Sequence, residues 1–121
     1  MERGRFLRLV RRALDDLPPP FRDRLDNVAV VVERRPRAHH RRSLGLRRDQ
    51  TLFGLYEGVP LIERDSYGPL LPDKITIFQE PLEREFRDEA TLVAEVRRTV
   101  LHELAHFFGT TDEELERLGL D

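Results

Sequence analysis

The sequence predicts a single α/β (α+β) domain, residues 1–121, in which an N-terminal helix and a C-terminal helix pack on a small sheet of about three strands. Three observations predict it. Apolar residues recur at helical spacing near both ends of the chain, three short runs of strand character lie between them, and no repeat or low-complexity linker divides the chain.

Phe6, Leu9, Val10, Ala13, Leu14 and Leu17 keep the spacing of one helix face, with Arg5, Arg8, Arg11 and Arg12 on or beside the opposite one. Pro18, Pro19 and Pro20 end that helix. A basic amphipathic helix can lie on a membrane, but the ordinary place for this one is on the sheet, with its Arg face in water. Residues 28–32, Val-Ala-Val-Val-Val, form a continuous apolar run rich in β-branched side chains, as expected of a strand buried on both sides. Residues 52–56 and 74–79 read as two further strands, the latter with Ile75, Ile77 and Gln79 on one face and Thr76 and Phe78 on the other. A long loop, 57–73, carries Gly58, Pro60, Gly68, Pro69 and Pro72, and a loop of that length in a compact domain is often functional. From Asp88 onward Val93, Val96, Val100, Leu104 and Phe107 follow helical spacing, and a short helix over 113–118 follows.

Residues 102–112 read HELAHFFGTTD, an HExxH motif followed by xxGxxD. On a helix, residues i and i+4 project from one face a turn apart, so His102 and His106 can close on a single ion. Glu103 lies beside them, placed to act on a water that the ion polarises. A catalytic zinc needs three protein ligands, an open position and such a base. HExxH alone arises by accident in roughly one chain in seventy of this composition, so context has to carry the assignment. The context is helical: Val93, Val96, Val100, Leu101, Leu104, Phe107 and Phe108 gather on one side, and the two histidines point nearly opposite. Gly109 suits the left-handed turn that ends a helix. Asp112, the first ionisable group beyond it, is the candidate third ligand; it could equally cap the helix that follows, in which case Glu113, Glu114 and Glu116 are the next carboxylates in line.

The motif and four further segments, DNVAVVVE at 26–33, GLYEGVPL at 54–61, PDKITIF at 72–78 and DEELERLG at 112–119, are similar to segments of the small zincin-like metallopeptidase domains, so the resemblance covers nearly the whole chain. It implies a compact zincin-like fold with a small mixed sheet, one Zn2+ per chain held by His102, His106 and Asp112, Glu103 as general base, and a peptide or protein as substrate. The chain departs from the metzincins, which have a histidine where Asp112 stands and a methionine turn beneath the metal; the only methionine here is Met1. In zincins an edge strand beside the active-site helix pairs with the substrate. The resemblance places that edge at 52–56, where Gly54 would let a backbone approach, a bulge being the alternative. Tyr56 and Tyr67 are the two tyrosines that could donate to an oxyanion, although packing is the commoner use of either, and Arg98, one turn before His102, could meet a carboxylate.

Composition bounds the remainder. With no cysteine there is neither a disulfide framework nor a thiolate ligand. The five residues 28–32 are the longest apolar run, too short to span a membrane, and no signal-peptide core forms at the basic N-terminus, so a cytoplasmic protein is expected. Residues 1–60 carry 14 basic and 8 acidic groups, whereas 61–121 carry 7 and 15. Nine of the basic and histidine residues crowd 34–48, from Arg34 to Arg48, a strip that could bind nucleic acid or another polyanion. It has no aromatic residue for base stacking, and Pro36 and Gly45 suggest a mobile loop. A zincin scaffold that has lost its chemistry and serves as a binding module is the alternative to a peptidase, and nothing in the sequence sets the oligomeric state.

Overall fold

The helical spacing from Phe6 onward is realised in α1 (Arg3–Asp15), which buries Phe6, Leu9, Val10 and Ala13. The computed structural model describes residues 1–43, 52–58, 73–107, 109 and 112–117, excepting the side chains of residues 43, 106, 107, 112 and 115. The prolines that end α1 also begin a new helix, α2 (Pro19–Arg24), because a missing N–H is no loss in a first helical turn. A 3-10 turn, Leu25–Asn27, leads into β1 (Val28–Glu33). Next come α3 (Ala38–Ser43), β2 (Gly54–Glu57), β3 (Asp73–Phe78), α4 (Gln79–Glu85), α5 (Glu89–Phe107) and α6 (Asp112–Arg117). Gln79, expected at the end of a strand, instead opens α4, and part of the expected mobile loop, 38–43, is helical.

The sheet is mixed, in the order β1-β3-β2. β1 runs parallel to β3 from Val28↔Asp73 to Glu33↔Phe78, and β2 runs antiparallel to it from Gly54↔Ile77 to Glu57↔Lys74. This order corrects the burial expected of residues 28–32. Among the described residues β1 is an outer strand and only Val32 is fully buried, whereas the central β3 is buried along nearly its whole length.

One sheet face is dry. Val32, Ile75 and Ile77 pack against α1 and against Val96, Val100 and Leu104 of α5. Asp88 starts α5 as a cap: its Oδ2 accepts the backbone N–H of Thr91 at 3.0 Å and that residue's hydroxyl at 3.1 Å. No helix among the described residues is long and apolar enough to cross a membrane.

The other face is polar and is covered by His40 of α3, 2% exposed. Its Nδ1 accepts the Arg37 backbone N–H at 3.0 Å, which leaves the proton of the neutral ring on Nε2. That Nε2 stands 3.8 Å from both Glu33 Oε2 and Glu57 Oε1, and the ring meets Phe78 edge-on with centroids 5.2 Å apart. Burial lowers the His40 pKa, His39 and Lys74 push the same way, and Glu33 and Glu57 oppose them.

The folded state therefore keeps His40 neutral where the unfolded chain would take up a proton near pH 6.5. Its contribution to stability is complete above that pH and is lost as pH falls from there toward the lowered folded value. Urea denaturation at about pH 7.5 and about pH 5 should show wild type losing more stability between the two than His40→Gln does. Equal losses would remove His40 from the account.

Candidate active site

His102, Glu103 and His106 all lie on α5, which is continuous from Glu89 to Phe107, so the two histidines stand one turn apart on it. Leu101, Leu104 and Ala105 are buried in the core, while His102 and Glu103 are half-buried at its edge. The helix ends as expected of the sequence: Gly109 has φ +78°, in the left-handed region, with nothing within 4 Å of the position its Cβ would take. Asp112 is then the first residue of α6, and Glu113, Glu114 and Glu116 follow on the same short helix. The side chains of His106 and Asp112 lie outside the described residues, as does Tyr67 altogether. Among the described residues no three metal-ligating side chains converge.

The geometry that stands out joins α5 to β2. The Phe78 N–H donates to the Phe53 carbonyl at 2.9 Å, and alternation along an antiparallel pair then turns the N–H groups of Gly54 and Tyr56 away from β3, toward α5. The Tyr56 N–H donates to Glu103 Oε1 at 2.8 Å. A hydrogen bond to a carboxylate is short and comparatively strong, and it fixes the orientation of the group. The Tyr56 hydroxyl donates to Asp73 Oδ2 at 2.7 Å, so this residue serves the site through its backbone while its side chain braces the start of β3.

Gly54 allows the approach. It is buried, the ladder runs through it without a bulge, and a Cβ there would lie 2.6 Å from Thr99 Cγ2 and 3.2 Å from the Thr76 carbonyl oxygen. The close neighbour of Gly54 is thus helix α5. Thr99 is itself pinned, its hydroxyl donating to the Glu95 carbonyl at 2.8 Å. Nothing in the motif points to Thr99, although its place one turn before Glu103 is a spacing that could signal it.

Beside these contacts a cleft of about 490 Å³ opens between α5 and the residues leading into β2. Gly54, Arg98, His102 and Glu103 line it, together with Leu52, Phe53, Phe86, Glu95 and Thr99. Arg98 Nη1 donates to Glu95 Oε1 at 3.5 Å, its side chain 55% exposed. Leu52 and Phe53 fall in the segment 52–56 expected as the edge strand beside the motif helix, although the strand itself starts at Gly54; Phe86 has no sequence signal.

A family model described as zincin-like metallopeptidase matches residues 25–120. Among solved structures, a conserved hypothetical protein from T. thermophilus is 24% identical, with a TM-score of 0.56, the alignment covering 99% of this chain and 100% of that one. That likeness supports the fold. No curated protein is significantly similar to the chain.

The spacing at Gly54 yields a paired test. Gly54→Ala should destabilise the protein by about 1–3 kcal/mol, because the new methyl group displaces Thr99 or the helix. Gly54→Ala combined with Thr99→Ser, which removes Cγ2 and keeps the hydroxyl, should recover most of that loss in denaturant melts. A double variant no more stable than Gly54→Ala would show that Thr99 is not the obstruction.

Proposed function

The chain belongs to the zincin-like metallopeptidase family, and on that premise we propose that it hydrolyses peptide bonds with one zinc ion held by His102, His106 and Asp112 and with Glu103 as general base. One observation carries the reading. The carboxylate following the first motif histidine is fixed at 2.8 Å on a backbone N–H of the strand beside the helix, at the end of a cleft that also includes His102. The donor set suits zinc, which takes imidazole and carboxylate ligands: two histidines one helical turn apart and an aspartate just beyond a glycine turn.

When bound, zinc would supply Lewis acidity, polarising the scissile carbonyl and making water a better nucleophile near neutral pH. The residues of the chain do the rest. Glu103 removes a proton from the attacking water as its oxygen bonds to the carbonyl carbon. The same carboxyl group then hands that proton to the nitrogen as the C–N bond breaks, so the amine leaves neutral. The Tyr56 N–H keeps the carboxylate from turning away during this exchange. Arg98 lies along the same cleft and is placed to contact the substrate rather than the reacting atoms.

A second reading rests on a separate cleft of about 650 Å³ near β1, lined by Arg3, Arg34, Arg35, Arg37 and Lys74 as well as Glu33. Arg34 and Arg35 reach Glu80 at 3.9 and 3.0 Å and Lys74 reaches Glu57 at 3.9 Å; Arg3 and Arg37 have no ion pair among the described residues. We propose that this surface holds nucleic acid by its phosphates, without reading sequence, as an accessory activity or as the main one if the zincin scaffold has lost its chemistry.

For the peptidase, zinc loading followed by metal analysis should give one zinc per chain, lost in His102→Ala/His106→Ala. Glu103→Gln should keep the zinc and lose at least about a hundredfold in turnover of a peptide library. Undiminished turnover in that variant would reject the assigned base. For the second surface, random-sequence duplex DNA should be retained at about 50 mM salt and released on raising it, with Arg34→Glu/Arg37→Glu abolishing retention. No retention by the wild type at low salt would dismiss it.

A further inference from the structure

We propose that the outer edge of β1, with the groove between that strand and α1, is a docking site for an extended acidic segment of another protein, which adds to the sheet as a further strand. The site lies across β3 from β2 and its contact with Glu103, so the inference does not rest on the peptidase reading. β3 takes the backbone groups on one side of β1; on the other side no strand pairs with it among the described residues. Alternation in a parallel ladder turns both the N–H and the C=O of every second residue toward that open side. Sheet edges are ordinarily protected by lysine, proline, a bulge or a covering element. β1 reads Val-Ala-Val-Val-Val-Glu, without lysine or proline, and its register with β3 is continuous. Its β-branched side chains suit pairing on the open side as well as on the closed one.

The groove lets an added strand bury side chains. About 530 Å³ in volume, it is lined by Leu7, Val10 and Leu14 of α1 and by Val30 and Val32 of β1. Leu7 is 41% exposed, and Val30 is only half-buried although it shares the dry face with Val32, so α1 leaves this margin of the sheet uncovered. Leu7 and Leu14 stand about 10.5 Å apart along α1, whereas alternate residues of a strand advance about 6.6 Å. Two apolar side chains at i and i+2 of an added strand therefore fit within the stripe that the two leucines bound.

Charge selects the partner. Arg8 and Arg11 also line the groove, exposed and without an ion pair among the described residues, and Asp15 is the one acid in the lining. A segment that alternates apolar residues with Asp or Glu satisfies the groove, the arginines and the open backbone together. Nucleic acid has neither apolar side chains nor a peptide backbone to continue the ladder. A second copy paired edge to edge about a twofold axis would set the two α1 helices side by side and bring Arg8 and Arg11 against their own counterparts.

The experiment titrates the protein into a fluorescein-labelled peptide in which Val and Leu alternate with Glu, read by anisotropy at about 50 mM salt. The wild type should bind it at least about tenfold more tightly than the same peptide with Lys in place of Glu. Leu7→Glu should weaken binding at least about tenfold, and Arg8→Glu/Arg11→Glu should turn the preference toward the Lys peptide. All three positions are exposed, so these variants keep the core intact. N-methylation of alternate peptide residues should abolish binding in one frame and spare it in the other, since an added strand turns only every second N–H toward β1. No binding of the Glu peptide by the wild type, equal affinity for the two charge forms, or equal tolerance of N-methylation in both frames overturns the proposal. A wild-type dimer in analytical ultracentrifugation that Leu7→Glu dissociates would give the edge to a second copy and overturn it as well.

Discussion

The separation of helix α5 from strand β2 is the constraint on which the site depends. A glycine with no room for a Cβ lets Thr99 settle over the strand, and one turn further along the helix Glu103 reaches the Tyr56 N–H. The two contacts reinforce each other because the repeats match. Four helical residues advance about 6 Å and two strand residues about 6.6 Å, so a helix lying along a strand can place i and i+4 opposite j and j+2. Thr99 and Glu103 meet Gly54 and Tyr56 in that register. A slip by one residue along β2 would turn the N–H groups that face α5 toward β3 instead and leave the carboxylate without its donor.

The same helix fills the core, which ties the placement of the motif to the stability of the domain. Val96, Val100 and Leu104 are fully buried on one side of α5 while His102 and Glu103 occupy another. The sheet beneath is asymmetric in a related way. Its α5 face is dry, whereas the face under α3 holds His40 and three buried acceptors, Glu33 Oε2, Glu57 Oε1 and Thr76 Oγ1, that make no hydrogen bond among the described residues. Unsatisfied buried acceptors weaken a fold, so the stabilising share falls on the dry face. The polar face is where protonation can act, since a buried neutral imidazole between two carboxylates changes its interactions more than any exposed histidine would.

How much of this is legible in the sequence depends on range along the chain. The apolar spacings of α1 and α5, the three strand segments and the placement of HExxH on a helix are local patterns, and the structure carries all of them. The order of the strands is not local: the run at 28–32 reads as a doubly buried strand, but its composition does not record that it has one neighbour where β3 has two. α2, α3 and α4 have six or seven residues each, too few for a helical period to emerge. Gly54 can be singled out, but not its reason, since Thr99 lies 45 residues away in sequence. Tyr56 draws notice for its hydroxyl, and the group that reaches Glu103 is its backbone N–H, which every residue but proline possesses and no side-chain pattern reports.

That last point separates the parts of the site that substitution can alter from those it cannot. Position 54 has no room for a Cβ, 56 excludes proline, and 103 needs a side-chain acceptor that reaches the strand, while Leu55 and Glu57 face the other side of the sheet and escape these demands. Leu52, Phe53 and Phe86 line the cleft beside these contacts; Phe53 also accepts the Phe78 N–H through its carbonyl, and the Phe53 and Phe86 side chains pack against the core. Leu52 precedes β2 and is not among the residues packed on the core, so of the three its side chain can vary most readily. Glu103 is thus held by backbone and by the lack of a Cβ, and two of the side chains that border the cleft beside it, Phe53 and Phe86, also pack against the core. On such a scaffold the lining of the cleft can change at Leu52 while the register that orients Glu103 stays in place.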